Sequence, residues 1–298
     1  MNKIKTQFSI KDIENLSGVK AHTIRIWEKR YELVEPKRTD TNIRYYTISD
    51  LKKILNVSLL ISKGSKVSKV SKLSDVKLRE AVVLEITKSN SSVGYENVIL
   101  MAMFNFDQLQ FEVVYNKLTA EFSFREIFNT LFIPLLHKIG LQWQSDTITP
   151  AHEHFISNLI SQKLHVNIEK VSQSGAVIHD KTFVLFLPMN EIHDLGLLYI
   201  KYELSLKGYK TIYLGESLPL DSLEVMSEMY ESIIYISYFT VYPIQDSVYD
   251  YVKGFSDRFL LDKNKFWLVG SNAKCLSENN KVKGVEVFDD LTHILSNI

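Results

Sequence analysis

The chain has 298 residues, 45% of them hydrophobic, and no apolar run of bilayer-spanning length, which predicts two or three compact domains and no membrane partner. One cysteine, Cys275, excludes an internal disulfide and any cysteine-based metal cluster, and the start Met1-Asn2-Lys3-Ile4-Lys5 lacks the hydrophobic block of a signal peptide, giving a cytoplasmic expectation. The net charge of zero hides an asymmetry: residues 1–80 hold 18 Lys and Arg against 9 Asp and Glu, and residues 81–298 hold 17 against 26. A basic head on an acidic body predicts a polyanion partner for the head alone.

Residues 9–19 place apolar side chains at helical spacing and stop at Ser17-Gly18. A second helical pattern, Lys20 to Tyr31, turns Ile24 and Trp27 inward and leaves His22, Thr23, Arg25, Lys29 and Arg30 outside. Two short helices joined by a tight Gly-containing turn, with cations on the second, read as a helix-turn-helix. Pro36-Lys37-Arg38 then opens a turn-rich basic loop that runs into β-prone Arg44-Tyr45-Tyr46, before a new helix at Ser49-Asp50-Leu51. That order is a wing. Arginine bonds a guanine edge bidentately, so Arg25 is the candidate base reader, while Arg38, Arg44 and Tyr45 suit phosphates. His22, Thr23, Arg30 and Tyr31 complete the DNA-facing set, and Trp27 reads as core.

Thr23-Ile24-Arg25, Trp27-Glu28, Arg30-Tyr31, Pro36, Arg38, Arg44 and Tyr46 make residues 8–73 resemble the DNA-binding domain of the MerR family of transcriptional regulators. The usual Val-Ala pair of the first helix is Ile13-Glu14 here, a departure that bears on packing between the two helices. The long dimerisation coiled coil usual in that family does not follow. Beyond a Ser/Lys-rich hinge near Leu73–Lys77, helical patterns at 76–88, 92–103, 106–120, 123–141 and 149–173 predict an antiparallel bundle, broken at Ser89–Ser92 and Thr147–Pro150.

Apolar runs at 183–188, 211–214, 233–236 and 266–269, with a weaker one at 285–288, alternate with helical stretches near 194–207, 221–230, 244–260, 274–278 and 290–297. This predicts a Rossmann-like doubly wound parallel sheet. The loop after the first run reads Glu191-Ile192-His193-Asp194-Leu195-Gly196. Ligands of open α/β sheets lie beyond the carboxyl ends of the strands, which makes His193 ligand-facing. A Glu191 carboxylate on one ring nitrogen would leave the other neutral and metal-ready, and Gly196 would let the helix start approach a planar ligand. The plain alternative is a loop histidine beside a surface glutamate.

Glu191-x-His193-x-x-Gly196 resembles the signature of cobalamin-binding Rossmann domains, in which the histidine replaces the cofactor's own base as lower axial cobalt ligand. Tyr213–Leu220, with Ser217, resembles the segment after the second strand of such domains. Ser237-Tyr238-Phe239 and Gly270-Ser271 partly match the family's Ser-x-Leu and Gly-Gly, which admit the displaced nucleotide tail; Phe239 is larger than leucine, and Ser271 adds a side chain. Trp143 with Glu153-His154 resembles the helical cap of light-dependent cobalamin repressors of the CarH/LitR type. That resemblance places Trp143 on the upper corrin face beside the adenosyl group, with Glu153 and His154 lining the same cavity. Gln144 stands where those repressors have a histidine able to take cobalt after light, and His152 or His154 are the alternatives for that role.

The resemblance covers nearly the whole chain. It implies a multidomain α and α/β protein with a winged helix-turn-helix head at 1–75, a helical bundle cap at 76–175 and a cobalamin-binding sheet domain at 176–298. Adenosylcobalamin would be its cofactor, with cobalt on His193, a double-stranded DNA operator and a second copy of the chain, as dimer or tetramer, its partners. A cobalamin-independent repressor that keeps the fold is one alternative. A corrinoid-carrying methyltransferase subunit is another, which the winged head opposes. No Ser/His/Asp or paired-carboxylate layout suggests independent catalysis.

Overall fold

The computed structural model describes residues 7–88, 95–144, 148–174, 177, 179–260, 263–276 and 282–298, in two compact units, Met1–Ile160 and Ser161–Ile298. The first begins with β1 (Gln7–Phe8), α1 (Ile10–Ser17), α2 (Ala21–Tyr31), β2 (Lys37–Arg38), β3 (Arg44–Thr47) and α3 (Ile48–Ser62). Ser9 caps α1 reciprocally with Asp12, and Gly18, at φ 71°, ends it in the left-handed conformation that glycine adopts without strain. Thr47 and Asp50 cap α3 in the same way. The antiparallel order β1-β3-β2 forms the wing, and Ile13, Leu16, Ile24, Trp27, Tyr46 and Leu51 are buried in the head's core. Glu14 causes no disruption there: it sits at the rim, 3.3 Å from the Lys20 ammonium, while its neighbour Ile13 fills the core.

Short α4 (Val67–Val70) leads to α5 (Asp75–Lys88), α6 (Tyr95–Asn105), α7 (Gln108–Glu121), α8 (Phe124–Ile127), α9 (Ile133–Gln144) and α10 (Pro150–Ser174), whose last turns pass into the second unit. Within α6, Val98 to Phe104 are all buried, the pattern of a helix surrounded by others. The single helix expected at 123–141 is interrupted by a π turn, Phe128–Phe132, where the Ile133 amide reaches the Phe128 carbonyl. Pro134 follows at once and has no N–H to continue the ordinary ladder. The break expected at Ser89–Ser92 lies outside the described residues, as does Thr147.

The second unit carries β4 (His179–Pro188), α11 (Leu195–Leu206), β5 (Tyr209–Leu218), α12 (Glu224–Met229), β6 (Ile233–Tyr238), α13 (Val248–Phe259), β7 (Lys265–Val269), β8 (Val285–Phe288) and α14 (Leu291–Ser296). All sheet pairings are parallel, in the order β5-β4-β6-β7-β8. Alternation along the strands sends Phe183, Leu185, Ile234, Ile236 and Trp267 to the face covered by α11 and α14, and Val184, Phe186, Tyr235, Phe266 and Leu268 to the face covered by α13. From Phe183 to Pro188, buried on both faces, β4 reads as an unbroken apolar run. From β4 the chain adds β5 on one side and β6, β7 and β8 on the other, so the crevice beyond the carboxyl ends of β4 and β6 is the topological switch point. The helix expected at 274–278 is reduced to one 3₁₀ turn, Ala273–Cys275, within the described residues.

Candidate functional site

In the head, α2 presents Arg25, Ile26, Lys29 and Arg30 to an open groove that Arg44 of the wing completes. Ile26 is 49% exposed among these cations. The wing is tied to the helix through one carboxylate. Glu28 accepts a short hydrogen bond from the Tyr46 hydroxyl and lies 3.6 Å from Arg44 Nε. Burial, followed by the Glu28 contact, pushes the Tyr46 hydroxyl far above its usual range, so it donates at every physiological pH. Arg44 is thus partly committed to Glu28, while Arg38 is held in the wing turn by donating to the Asn42 side chain at 2.7 Å. His22, Arg25, Arg30 and Arg38 are exposed, and Thr23, Tyr31 and Tyr45 are partly so.

In the second unit, Glu191 is completely buried beside His193, whose side chain is 44% exposed. One carboxylate oxygen accepts from the amides of Ile192 and His193, both at 3.0 Å, and lies 2.5 Å from His193 Nδ1. The other accepts from three consecutive amides of the loop after β6, Thr240 at 3.0 Å, Val241 at 2.6 Å and Tyr242 at 2.8 Å. Burial alone would raise this carboxyl. The His193 bond and the amides of Tyr242, Val241 and His193 overcome it and hold the group at about 2, ionised at physiological pH. The Nδ1 contact with an anion places the ring proton there, which in the neutral imidazole puts the lone pair on Nε2. Glu191 is therefore no surface neighbour. It is the buried anion that joins the loops beyond β4 and β6 across the switch point.

The remaining loop residues brace this arrangement. Ser217, at φ 52°, accepts the Asn190 amide on its hydroxyl at 3.1 Å and donates its own amide to the Glu191 carbonyl at 3.1 Å. Ser271 donates to the Thr240 carbonyl at 2.9 Å, and the Asn272 side-chain amide donates to the carbonyls of Val241 and Pro243. Gly270 has φ 113°, and a Cβ there would lie 2.3 Å from the Phe239 carbonyl oxygen, so only glycine fits. Phe239 packs away from the crevice, in the aromatic core under α13. The Ser237 hydroxyl, on that same face, is buried without a hydrogen-bond partner among the described residues.

Gly196 permits a close approach, and the approaching group is a tyrosine. A Cβ at Gly196 would stand 2.5 Å from Tyr238 Cε2, with Cδ2 and Cζ next nearest. Phe239 and Ser271, the residues singled out as narrowing a tail slot, lie elsewhere or face solvent; Tyr238 is the side chain in the crevice. Strand alternation carried the signal, because 234, 236 and 238 share the α11 face.

In the bundle, His152 stacks on Phe106 with centroids 4.8 Å apart, and its Nδ1 lies 2.8 Å from the Thr149 hydroxyl. Burial and then the nearby Lys52 charge lower its pKa. Glu153 accepts from Ser157 at 2.6 Å and lies 3.6 Å from the exposed His154 ring. Trp143 and Gln144 belong to α9, with side chains outside the described set.

Residues 8–76 match the MerR HTH family of regulatory proteins, and residues 95–166 match the B12 binding domain family. The chain thus carries a MerR-type helix-turn-helix domain and a B12 binding domain. It is homologous to two repressors of Myxococcus xanthus. It is 28% identical to the HTH-type transcriptional repressor CarH over 70% of each chain, and 26% identical to the repressor CarA over 72% of this chain and 70% of that one. The monomethylamine corrinoid protein of Methanosarcina barkeri shares the fold at 13% identity, with a TM-score of 0.55 over 67% of this chain and 94% of that one. The MerR match covers the helix-turn-helix and wing read from Thr23 to Tyr46, and the B12 match spans α6 to the middle of α10.

The residues of the second unit fit a corrin at one point and oppose it at another. His193, braced by Glu191, offers a single nitrogen, the number required by a metal already held in a planar macrocycle. Against Gly196, where a planar ligand was expected to approach, the Tyr238 ring already packs.

Proposed function

We propose that this regulator is a repressor whose self-association and operator binding are controlled by adenosylcobalamin and by light. The observation that carries the reading is the Glu191–His193 pair at the switch point, a buried anion fixing the tautomer of an exposed imidazole. When bound, the cofactor supplies a light-labile cobalt–carbon bond. His193 would hold the cobalt through its ring nitrogen, Glu191 would keep that ring in place, and Trp143, Glu153 and His154 would line the rest of the cofactor's site, as the sequence resemblance implies. Arg25 reads base edges, and Lys29, Arg30, Arg38 and Arg44 meet phosphates. The working division is a head at 1–75, a cap at 76–175 and a cobalamin domain at 176–298. Linking several heads in one dimer or tetramer raises avidity by roughly 10²–10⁴, so loss of assembly weakens repression without altering any one head.

The test is gel filtration of the full chain with adenosylcobalamin, in the dark and after green light, followed by operator binding on the same fractions. Corrin that co-elutes with a larger, DNA-binding species in the dark, and a smaller, weaker-binding species after light, is the expected outcome. Absence of corrin from the protein peak would overturn the reading. One observation favours a cobalamin-independent repressor instead, namely Tyr238 against Gly196. Operator binding indifferent to both cofactor and light would select it.

A further inference from the structure

We propose that Tyr238 determines which corrinoid this chain accepts, by penalising those that carry a lower nucleotide tail. The inference rests on the reading of His193 as axial ligand. A histidine can take the lower position of cobalamin only if the cofactor's own base leaves it. That base is tethered through its ribose phosphate to the rim of the corrin and hangs on the lower face, toward the unit that carries His193. The space on that side of His193 is the switch-point crevice beyond the carboxyl ends of β4 and β6, beside the first turn of α11.

That space is occupied. Tyr238 is the last residue of β6 and points to the α11 face, and its Cε2, Cδ2 and Cζ lie 2.5, 2.9 and 3.1 Å from where a Cβ of Gly196 would stand. Gly196 sits three positions beyond His193, so the ring packs against the first turn of the helix that the loop of the proposed ligand leads into. The surrounding backbone cannot yield readily. The loop that follows Tyr238 is fastened on its N–H side by Glu191, through Thr240, Val241 and Tyr242, and on its C=O side by Ser271 and Asn272. Only the ring itself can move, and moving it exposes a largely buried aromatic side chain, a penalty worth about tenfold or more in affinity. A corrinoid without the base makes the same His193 bond and leaves the ring in place.

The experiment titrates the full chain, in the dark, with adenosylcobalamin and with adenosylcobinamide, its analogue lacking the nucleotide, following the corrin absorption spectrum and the heat of binding. Wild type should bind adenosylcobinamide at least tenfold more tightly. Tyr238→Ala should strengthen adenosylcobalamin binding about tenfold and change adenosylcobinamide binding less than threefold, while Tyr238→Phe, which keeps the ring, should behave as wild type. Tyr238→Leu, which retains apolar packing but removes the outer ring atoms, should reproduce the alanine result if the alanine variant is poorly folded. Equal affinities in wild type, or a ratio unmoved by both the alanine and leucine changes, would overturn the role of Tyr238 and leave the function intact. Failure of both corrinoids to bind any of the four proteins would overturn that function and this inference together.

Discussion

Glu191→Gln removes one charge and replaces one acceptor by an amide donor at a fully buried position, with almost no change of shape. The native carboxylate receives five backbone amides and the His193 ring. Whichever way the new side chain turns, its NH₂ faces either the imidazole and two amides or the three amides of Thr240–Tyr242. Stranding buried donors in this way costs about 3–5 kcal/mol. Proton linkage gives a similar figure: a carboxyl held at about 2 rather than 4.5 contributes about 3 kcal/mol. Because the folded-state value is depressed, this contribution is fully present above the unfolded-state value and is lost as pH falls through about 2. For a unit of this size, 3 kcal/mol lowers Tm by about 10 °C at neutral pH, and the gap between variant and wild type should close in strong acid. Calorimetry reads the first effect. Hydrogen exchange at Thr240, Val241 and Tyr242 reads the local one, with all three amides exchanging faster in the variant. A Tm within about 2 °C of wild type, together with unchanged exchange, would refute the assignment of Glu191 as the brace.

Gly270→Ala should cost about 3 kcal/mol or more, since the new Cβ meets the Phe239 carbonyl at 2.3 Å and φ is 113°; thermal unfolding measures it. Glu28→Ala should release both Tyr46 and Arg44 and weaken operator binding by about 1–2 kcal/mol, with circular dichroism unchanged, as read by fluorescence anisotropy at fixed salt. Arg25→Ala should lose about 1–3 kcal/mol on its operator and relax discrimination at one base pair, whereas Lys29→Ala should weaken all sequences alike and lower the salt slope by about one, in titrations across ionic strength.

The elements were largely legible in the sequence because periodicity and turn chemistry agreed. Ser9 with Asp12, and Thr47 with Asp50, mark helix starts by residue type alone, and the continuous apolar run of β4 announces a strand covered on both faces. The π turn at Phe128–Phe132 was not legible, because a ladder shifted by one residue preserves the helical pattern on either side of it. Within the site, residue types suggested the pairing of Glu191 with His193. The depth of Glu191 and its three amides from the loop after β6 were hidden, since backbone donors leave no mark on composition. Tyr238 was read as the variable middle of a three-residue motif. Its importance arises from which face of β6 it occupies, a property visible only when the strand is placed against α11.

The bond between Tyr46 and Glu28, with Arg44 on the same carboxylate, has a consequence for the DNA rather than for the protein. With reading helix and wing fixed to one another, the head is a rigid template. It cannot adjust the distance between the groove it enters and the backbone it straddles. The work of fitting then falls on the duplex, and part of the choice among operators is made by the stiffness of base steps that no side chain touches.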